Sequence, residues 1–128
     1  MAYYYSGKLM SDLNHIDLVV KSIIKKVDRV IADENLLFDI RLIINELVIN
    51  GCEHGNCFDN TKYIDLKLAI NERVISIQVI DEGEGLNYDF STYDPCSLMT
   101  SGRGLKIVKE LSDELIIKEN SITAIINK

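Results

Sequence analysis

The sequence predicts a single α/β domain in which helices cover one face of a sheet, and three observations lead to this fold class. Its 128 residues suffice for one hydrophobic core, and no repeat, linker or low-complexity segment divides them. Three stretches repeat apolar residues with the period of a helix, whereas others alternate apolar and polar residues as strands do. The hydrophobic fraction of 47% and the charged fraction of 27% are typical of globular proteins. We therefore expect one domain over residues 1–128.

Net charge and cysteine content limit the partners and the compartment. A formal net charge of −6 argues against nucleic-acid binding, which requires a basic face. No apolar stretch approaches the length of a membrane span, and the N-terminus lacks the apolar core of a signal peptide, so we expect a cytoplasmic protein. The three cysteines are an odd number and fit a reducing compartment better than a disulfide framework.

The N-terminal segment predicts one strand followed by one helix. A tyrosine-rich, weakly alternating run predicts a strand from about residue 2 to residue 9. Ser11 or Asp12 can cap the helix that follows, because a side-chain oxygen there can accept hydrogen bonds from the first amides. Apolar residues keep helical spacing from Leu13 to Ile31, so we expect an amphipathic helix along this stretch.

A second helix carries a polar stripe on an otherwise apolar surface. Residues 33–35 interrupt the first helix, and an apolar run starts at Leu36. At 100° per residue, Glu46, Asn50 and Glu53 fall within about 60° of one another. Buried carboxylates and amides persist only with partners, so something must satisfy these groups.

Two interpretations of this stripe remain open at this point. In the first, the polar groups of a core helix meet water or neighbouring side chains. In the second, Glu46 offers a general base and Asn50 a metal-binding oxygen to a phosphate ligand, with His54 and Gly55 at the helix exit. A zinc site formed by Cys52, His54 and Cys57 is disfavoured, because a continuing helix would point Cys52 and His54 in different directions.

Two alternating runs, residues 63–70 and 74–81, follow the second helix. The short turn at residues 71–73 joins them, so we expect an antiparallel hairpin. Its apolar residues share one sheet face: Ile64, Leu66, Leu68, Ile70, Ile75, Ile77 and Val79.

The C-terminal part predicts a loop, a third helix and a closing hairpin. Residues 86–101 have no apolar period and form a long loop of the kind that often serves as a lid. A helix then opens at residues 102–104 and ends near residues 112–113. The alternation predicts a last hairpin, with its two strands at residues 115–118 and 122–126.

Three separated motifs line up along these elements. They are E-x-x-x-N-x-x-x-H-G from Glu46, D-E-G-E-G from Asp81 and S-G-R-G-L from Ser101. In this order and at these distances they resemble the nucleotide-binding boxes of the GHKL ATPase superfamily, the histidine kinase-like proteins. The small size of the chain and its C-terminal G-R-G-L-K-I-V-K-E-L segment look most like the anti-sigma-factor serine kinases of that superfamily.

The resemblance implies a role for each matching residue around the reacting phosphate. Glu46 matches the catalytic base that accepts a proton from the attacking hydroxyl, and Asn50 matches the amide that coordinates magnesium between the phosphates. Gly102, Arg103 and Gly104 match the far hinge of the lid, where backbone amides and the arginine hold phosphate oxygens.

The resemblance also implies an adenine pocket. Asp81 matches the carboxylate that accepts a hydrogen bond from the adenine amino group. Gly83 and Gly85 would let the backbone pass close to the base. Thr123 matches the threonine that supports the adenine-binding aspartate.

The fold and function that the resemblance implies are specific. The fold is a two-layer Bergerat-type ATP-binding sandwich, with a mixed, mainly antiparallel sheet and three helices on one face. The cofactors are ATP and Mg²⁺. The function is that of an ATP-dependent anti-sigma factor and serine kinase, a homodimer that binds a sigma factor and phosphorylates a STAS-type anti-anti-sigma antagonist. A nucleotide-binding regulatory module without kinase activity, or an ATPase that transfers phosphate to water, remain the alternatives.

Overall fold

In the part of the chain that the structure describes, the protein folds into one antiparallel sheet with three α-helices. The computed structural model describes residues 2–55, 59, 61–82, 101–118 and 120–128, and of residues 54–55 and 101–104 the backbone alone. No helix in these ranges is both long and apolar enough to cross a lipid bilayer.

Five strands form the sheet in the order β1-β2-β3-β5-β4. They are β1 (Tyr3–Met10), β2 (Tyr63–Ile70), β3 (Val74–Ile80), β4 (Glu114–Lys118) and β5 (Ser121–Asn127). All four pairings are antiparallel, so the described sheet contains none of the parallel pairing that a mixed sheet would include. The predicted hairpin of β2 and β3 is confirmed, with Asn71 Oδ1 accepting hydrogen bonds from the amides of Arg73 and Val74 in the turn.

Three α-helices, α1 (Leu13–Val27), α2 (Glu34–Asn50) and α3 (Ser101–Leu111), accompany the sheet. Asp12 and Asp33 cap α1 and α2, because each carboxylate accepts hydrogen bonds from amides of the first helical turn. The apolar period of the first helix continues to Ile31, but α1 ends earlier. The amide of Val30 bonds to the carbonyl of Val27, which tightens the last turn and closes the helix.

The core lies between the helices and one face of the sheet. Helix α2 packs against both α1 and α3, while α1 contacts β1, α2 contacts β3 and α3 contacts β4 and β5. Alternate strand residues on this face are fully buried, among them Leu66, Leu68, Ile75, Ile77 and Ala124. The predicted two-layer arrangement is therefore confirmed, with the three helices on one face.

The other sheet face, here called the open face, carries the alternate residues of each strand. Every residue there is half-buried or exposed. Its residues on β3 and β5 are uncharged, whereas its lysines and acidic residues lie on β1, β2 and β4. The central residues, on β3 and β5, are Ser76, Gln78, Ile80, Thr123 and Ile125.

Candidate functional site

Polar side chains are buried together at one end of the sheet. Among the described residues, the buried polar or charged ones are Ser11, Asn50 and Asp81, each at most 5% exposed. Ser11 follows β1 and Asp81 follows β3, and both ends flank the start of β2 because the strands are antiparallel. Burying polar groups costs free energy, so such a cluster in a small domain marks a candidate ligand site.

Cys52 links the end of α2 to this cluster. Its thiol is fully buried, lies two residues beyond Asn50, and is hydrogen-bonded to the side chain of Ser11. Burial raises the pKa of Cys52 to about 11; the Ser11 hydrogen bond opposes this rise and the nearby carboxylates of Asp12 and Asp81 add to it. The thiol is therefore protonated at neutral pH, and a buried neutral thiol is a poor nucleophile and a poor metal ligand.

A single π-helical turn, Gly51–Gly55, continues the chain after α2. The sequence did not predict this turn. The predicted alignment of Glu53 with Asn50 assumed 100° per residue, and the π turn ends that regular α-helical spacing after Asn50. A Cβ added at Gly51 would lie 3.2 Å from Ile64 Cδ1 and 3.3 Å from Val79 Cγ1. The missing side chain thus lets the helix end sit directly on β2 and β3.

Glu46 and Asn50 lie one turn apart on α2. Four residues of α-helix separate them by about 6 Å along the axis and leave both on the same side. Asn50 is 5% exposed at the helix end, while Glu46 is half-buried and can be reached from solvent. The predicted one-turn spacing of a carboxylate and an amide is confirmed.

The main chain of Asp81 is held by the β4–β5 turn. Its N–H donates to the carbonyl of Asn120 at 2.9 Å, and its carbonyl accepts from Asn120 Nδ2 at 2.6 Å. The next residue, Glu82, accepts a hydrogen bond from the amide of Tyr63 at the start of β2. Gly83, Gly85 and the loop predicted from residue 86 onwards, as far as residue 100, lie outside the described residues.

The remaining predicted site residues lie in two different places. Gly102, Arg103 and Gly104 form the first turn of α3, as expected, and the buried Leu105 seats that helix against the core. Thr123 pairs with Gln78 on the open face. Asp81, in contrast, follows the alternate residues of β3 that face the helices. The structure therefore does not bring Thr123 to Asp81, because Gln78 and Asp81 are three positions apart and side chains an odd number of positions apart on a strand point to opposite faces.

Sequence reasoning missed Ser11, Cys52 and Asn120 as neighbours of this site. Ser11 was considered only as a helix cap, a role that Asp12 fills instead. Asn120 falls in the turn of the last predicted hairpin, between residues 118 and 122. The proximity of Ser11 and Asn120 to Asp81 comes from strand pairing between distant segments, and that of Cys52 comes from the packing of the end of α2 on the sheet. A local pattern carries no signal for either.

Comparison with known proteins identifies the family. A family profile described as "Histidine kinase-like ATPase domain" matches residues 9–126. The chain belongs to this family. The anti-sigma F factor of Clostridium perfringens (strain SM101 / Type A) is 30% identical over 116 residues, which cover 85% of this chain and 81% of the relative. The anti-sigma F factors of Geobacillus stearothermophilus and Geobacillus kaustophilus (strain HTA426) are each 28% identical over 87 residues, or 60% of their length.

These matches confirm two expectations from the sequence. The resemblance to histidine kinase-like ATPases, and within them to anti-sigma factors, is borne out by the matched range and by the relatives. The family also implies that the ligand of this domain is ATP. The buried polar cluster fits that ligand, since it combines a carboxylate acceptor with an amide inside the range that the family profile matches.

Proposed function

We propose that this protein is an ATP-dependent anti-sigma factor and serine kinase that uses the cluster around Asn50 and Asp81 as its nucleotide site. The observation that carries the proposal is the pairing of a half-buried Glu46 with a buried Asn50 one turn apart on α2. The similarity to three anti-sigma F factors supports the regulatory part.

Asp81 selects the base. Its carboxylate is an acceptor and meets the amino group of adenine, whereas guanine presents a carbonyl oxygen at the same position. An acceptor facing an acceptor loses the hydrogen bond and leaves a buried polar group unpaired. The site therefore prefers ATP to GTP, with Gly83 and Gly85 next in sequence to accommodate the base.

Asn50 and the first turn of α3 serve the phosphates. The amide oxygen of Asn50 is a hard ligand suited to Mg²⁺, which when bound neutralises phosphate charge. The first amides of a helix lack acceptors within it, and the positive end of the helix dipole favours an anion there, so the first turn of α3, with Gly102, Arg103 and Gly104, suits phosphate oxygens. Arg103 adds a positive charge to this end.

Glu46 acts as the general base. A carboxylate that is half-buried can both be reached by a partner's serine hydroxyl and accept its proton. Asn50, one turn away on the same helix, keeps the phosphates at a defined distance from this base. The substrate is a serine of an anti-anti-sigma protein of the STAS type, and phosphorylation would weaken rebinding by adding negative charge to the interface.

The protein acts as a homodimer through its open face. The centre of that face is uncharged, while charged side chains surround it on β1, β2 and β4. A depletion of charge at the centre with a polar rim is typical of protein interfaces. The sigma factor and the antagonist then bind to the remaining surfaces.

Transfer of labelled γ-phosphate from ATP to a cognate antagonist tests the kinase proposal. Glu46→Gln keeps the shape of the side chain but removes the base, so transfer should fall by roughly 10²–10⁴-fold. ATP affinity should stay unchanged. The matched control is Glu34→Gln, the same chemical change at the exposed far end of the same helix, which should leave transfer intact.

Three outcomes would change the proposal. Binding of the sigma factor and ATP without transfer to any cognate antagonist would make the protein a nucleotide-binding regulatory module. Release of phosphate to water at the same rate with and without antagonist would make it an ATPase. Equal transfer by wild type and Glu46→Gln would remove Glu46 as the base.

A further inference from the structure

Asn120 holds the residue that follows β3 by two hydrogen bonds in opposite directions. The Asp81 N–H donates to the Asn120 carbonyl at 2.9 Å, and Asn120 Nδ2 donates to the Asp81 carbonyl at 2.6 Å. The pairing of β3 with β5 ends one step earlier, at Ile80 and Ser121. In a regular antiparallel pair, the backbone amide of the opposite residue would supply the second bond. Here the side-chain amide of Asn120 supplies it.

This arrangement restrains the direction of the Asp81 side chain. The two bonds engage the amide before the Asp81 Cα and the carbonyl after it, so they restrict both backbone dihedral angles of that residue. Fixing these angles fixes the Cα–Cβ bond, and hence where the carboxylate can reach. Asp81 lies just beyond the paired strand, where the ladder no longer restrains the chain.

We propose that Asn120 is a positioning residue that sets the base selectivity of the nucleotide site by orienting Asp81. The inference rests on the proposed function, in which the Asp81 carboxylate reads the adenine amino group. Asn120 acts through the main chain of Asp81 and makes no contact with the base. Hydrogen bonds that discriminate between donors and acceptors depend on a carboxylate held in one orientation, so loosening Asp81 lowers selectivity.

The chain contains a matched control at the other hairpin turn. Asn71 Oδ1 accepts from the amides of Arg73 and Val74, both at 2.8 Å, in the turn between β2 and β3. That turn lies at the opposite end of the sheet from Asp81, because β3 runs from one end to the other. Asn71→Ala therefore removes side-chain hydrogen bonds from a hairpin turn without reaching the site.

The experiment compares ATP and GTP affinities by calorimetry, together with urea unfolding, for wild type, Asn120→Ala, Asn120→Asp and Asn71→Ala. Asn120→Ala should weaken ATP binding by about 5–10-fold and leave GTP binding unchanged, so that the ATP:GTP ratio falls by the same factor. Asn120→Asp retains a good turn residue and replaces the donor with an acceptor facing the Asp81 carbonyl. Asn120→Asp should therefore lower the ATP:GTP affinity ratio at least as much as Asn120→Ala does. Asn71→Ala should lower stability without changing the ratio.

The outcomes separate this inference from the proposed function. If wild type binds ATP and GTP equally, the assignment of Asp81 to adenine is wrong. If wild type prefers ATP and both Asn120 variants keep that preference, Asn120 is only a turn residue and the inference is overturned. Should Asn120→Ala fail to fold, Asn120→Asp alone decides, since an unchanged ratio in that variant contradicts the inference and a reduced ratio supports it.

Discussion

Cys52 carries a thiol that the fold keeps protonated. It is fully buried, it is hydrogen-bonded to Ser11, and the carboxylate of Asp81 is close enough to raise its pKa further. The pKa of the thiol rises from 9.0 to about 11, chiefly because burial penalises the thiolate. Protonated Cys52 therefore acts as a small apolar side chain whose S–H group is a weak hydrogen-bond donor.

This shift predicts a pH dependence of stability. A group whose pKa is raised on folding binds its proton more tightly in the folded state. Its contribution is complete below pH 9 and is lost as the pH rises towards 11. The free energy of unfolding of wild type should therefore fall in this window by about 2–3 kcal/mol more than that of Cys52→Ser, whose hydroxyl does not titrate there.

Urea unfolding at a series of pH values between 8 and 11 measures this difference. Both proteins contain the same tyrosines and lysines, so their titration cancels in the comparison. Parallel stability curves for wild type and Cys52→Ser would show that the thiol titrates in the folded protein as it does in the unfolded chain.

At the scale of elements, the end of α2 determines the geometry of the site. The helix passes into a π turn at Gly51, and this turn sits on Ile64 of β2 and Val79 of β3. π turns are rare and occur often at functional sites. In this chain the turn carries the backbone from Asn50 to Cys52, and thus joins the proposed phosphate and adenine ends of the site.

Substitutions at Gly51 test how tightly the turn is seated. A methyl group there would meet only the ends of two side chains at 3.2–3.3 Å, and these can move by a few tenths of an ångström. Gly51→Ala should change the free energy of unfolding by less than about 1 kcal/mol, since better helix propensity offsets the crowding. Gly51→Val should destabilise the protein by about 1–3 kcal/mol because its extra methyl groups overpack the contact.

Urea unfolding and ATP calorimetry on both variants check this expectation. Gly51→Val should also weaken ATP binding, because displacing the turn moves Asn50. A loss of stability in Gly51→Ala as large as that in Gly51→Val would mean that the helix end cannot shift at all.

At the scale of the whole molecule, the helices cover only one face of the sheet, and the open face is available for assembly. A charge placed at the centre of a buried interface is costly unless it finds a partner. Ala69→Lys introduces such a charge on β2, directly beside the central residue Ser76 of β3. It should convert a dimer to a monomer, whereas the same substitution at the exposed Ala32, between α1 and α2, should not.

Sedimentation equilibrium of wild type and the two variants measures the association state. A wild type that stays monomeric at all concentrations would contradict the proposed homodimer. A dimer that survives Ala69→Lys would place the interface on another surface.

The elements of this protein follow from local patterns in the sequence. Alternation predicted the strands from Tyr63 to Ile80 and their hairpin, and the helical period predicted α1, α2 and the start of α3. The one-turn spacing of Glu46 and Asn50 is likewise local, because a regular helix fixes the angle between residues four positions apart. These features therefore depend only on near neighbours in the chain.

Only the tertiary structure decided which distant residues meet. The order β1-β2-β3-β5-β4 brings Asn120 to Asp81 across 39 positions of sequence, and the packing of α2 on the sheet brings Cys52 to Ser11. The register of β5 also turned Thr123 to the open face. The first and the last of these depend on pairing between separate strands, where a shift of one residue reverses the face of every side chain, and the second depends on how a helix packs on the sheet. A local period encodes neither.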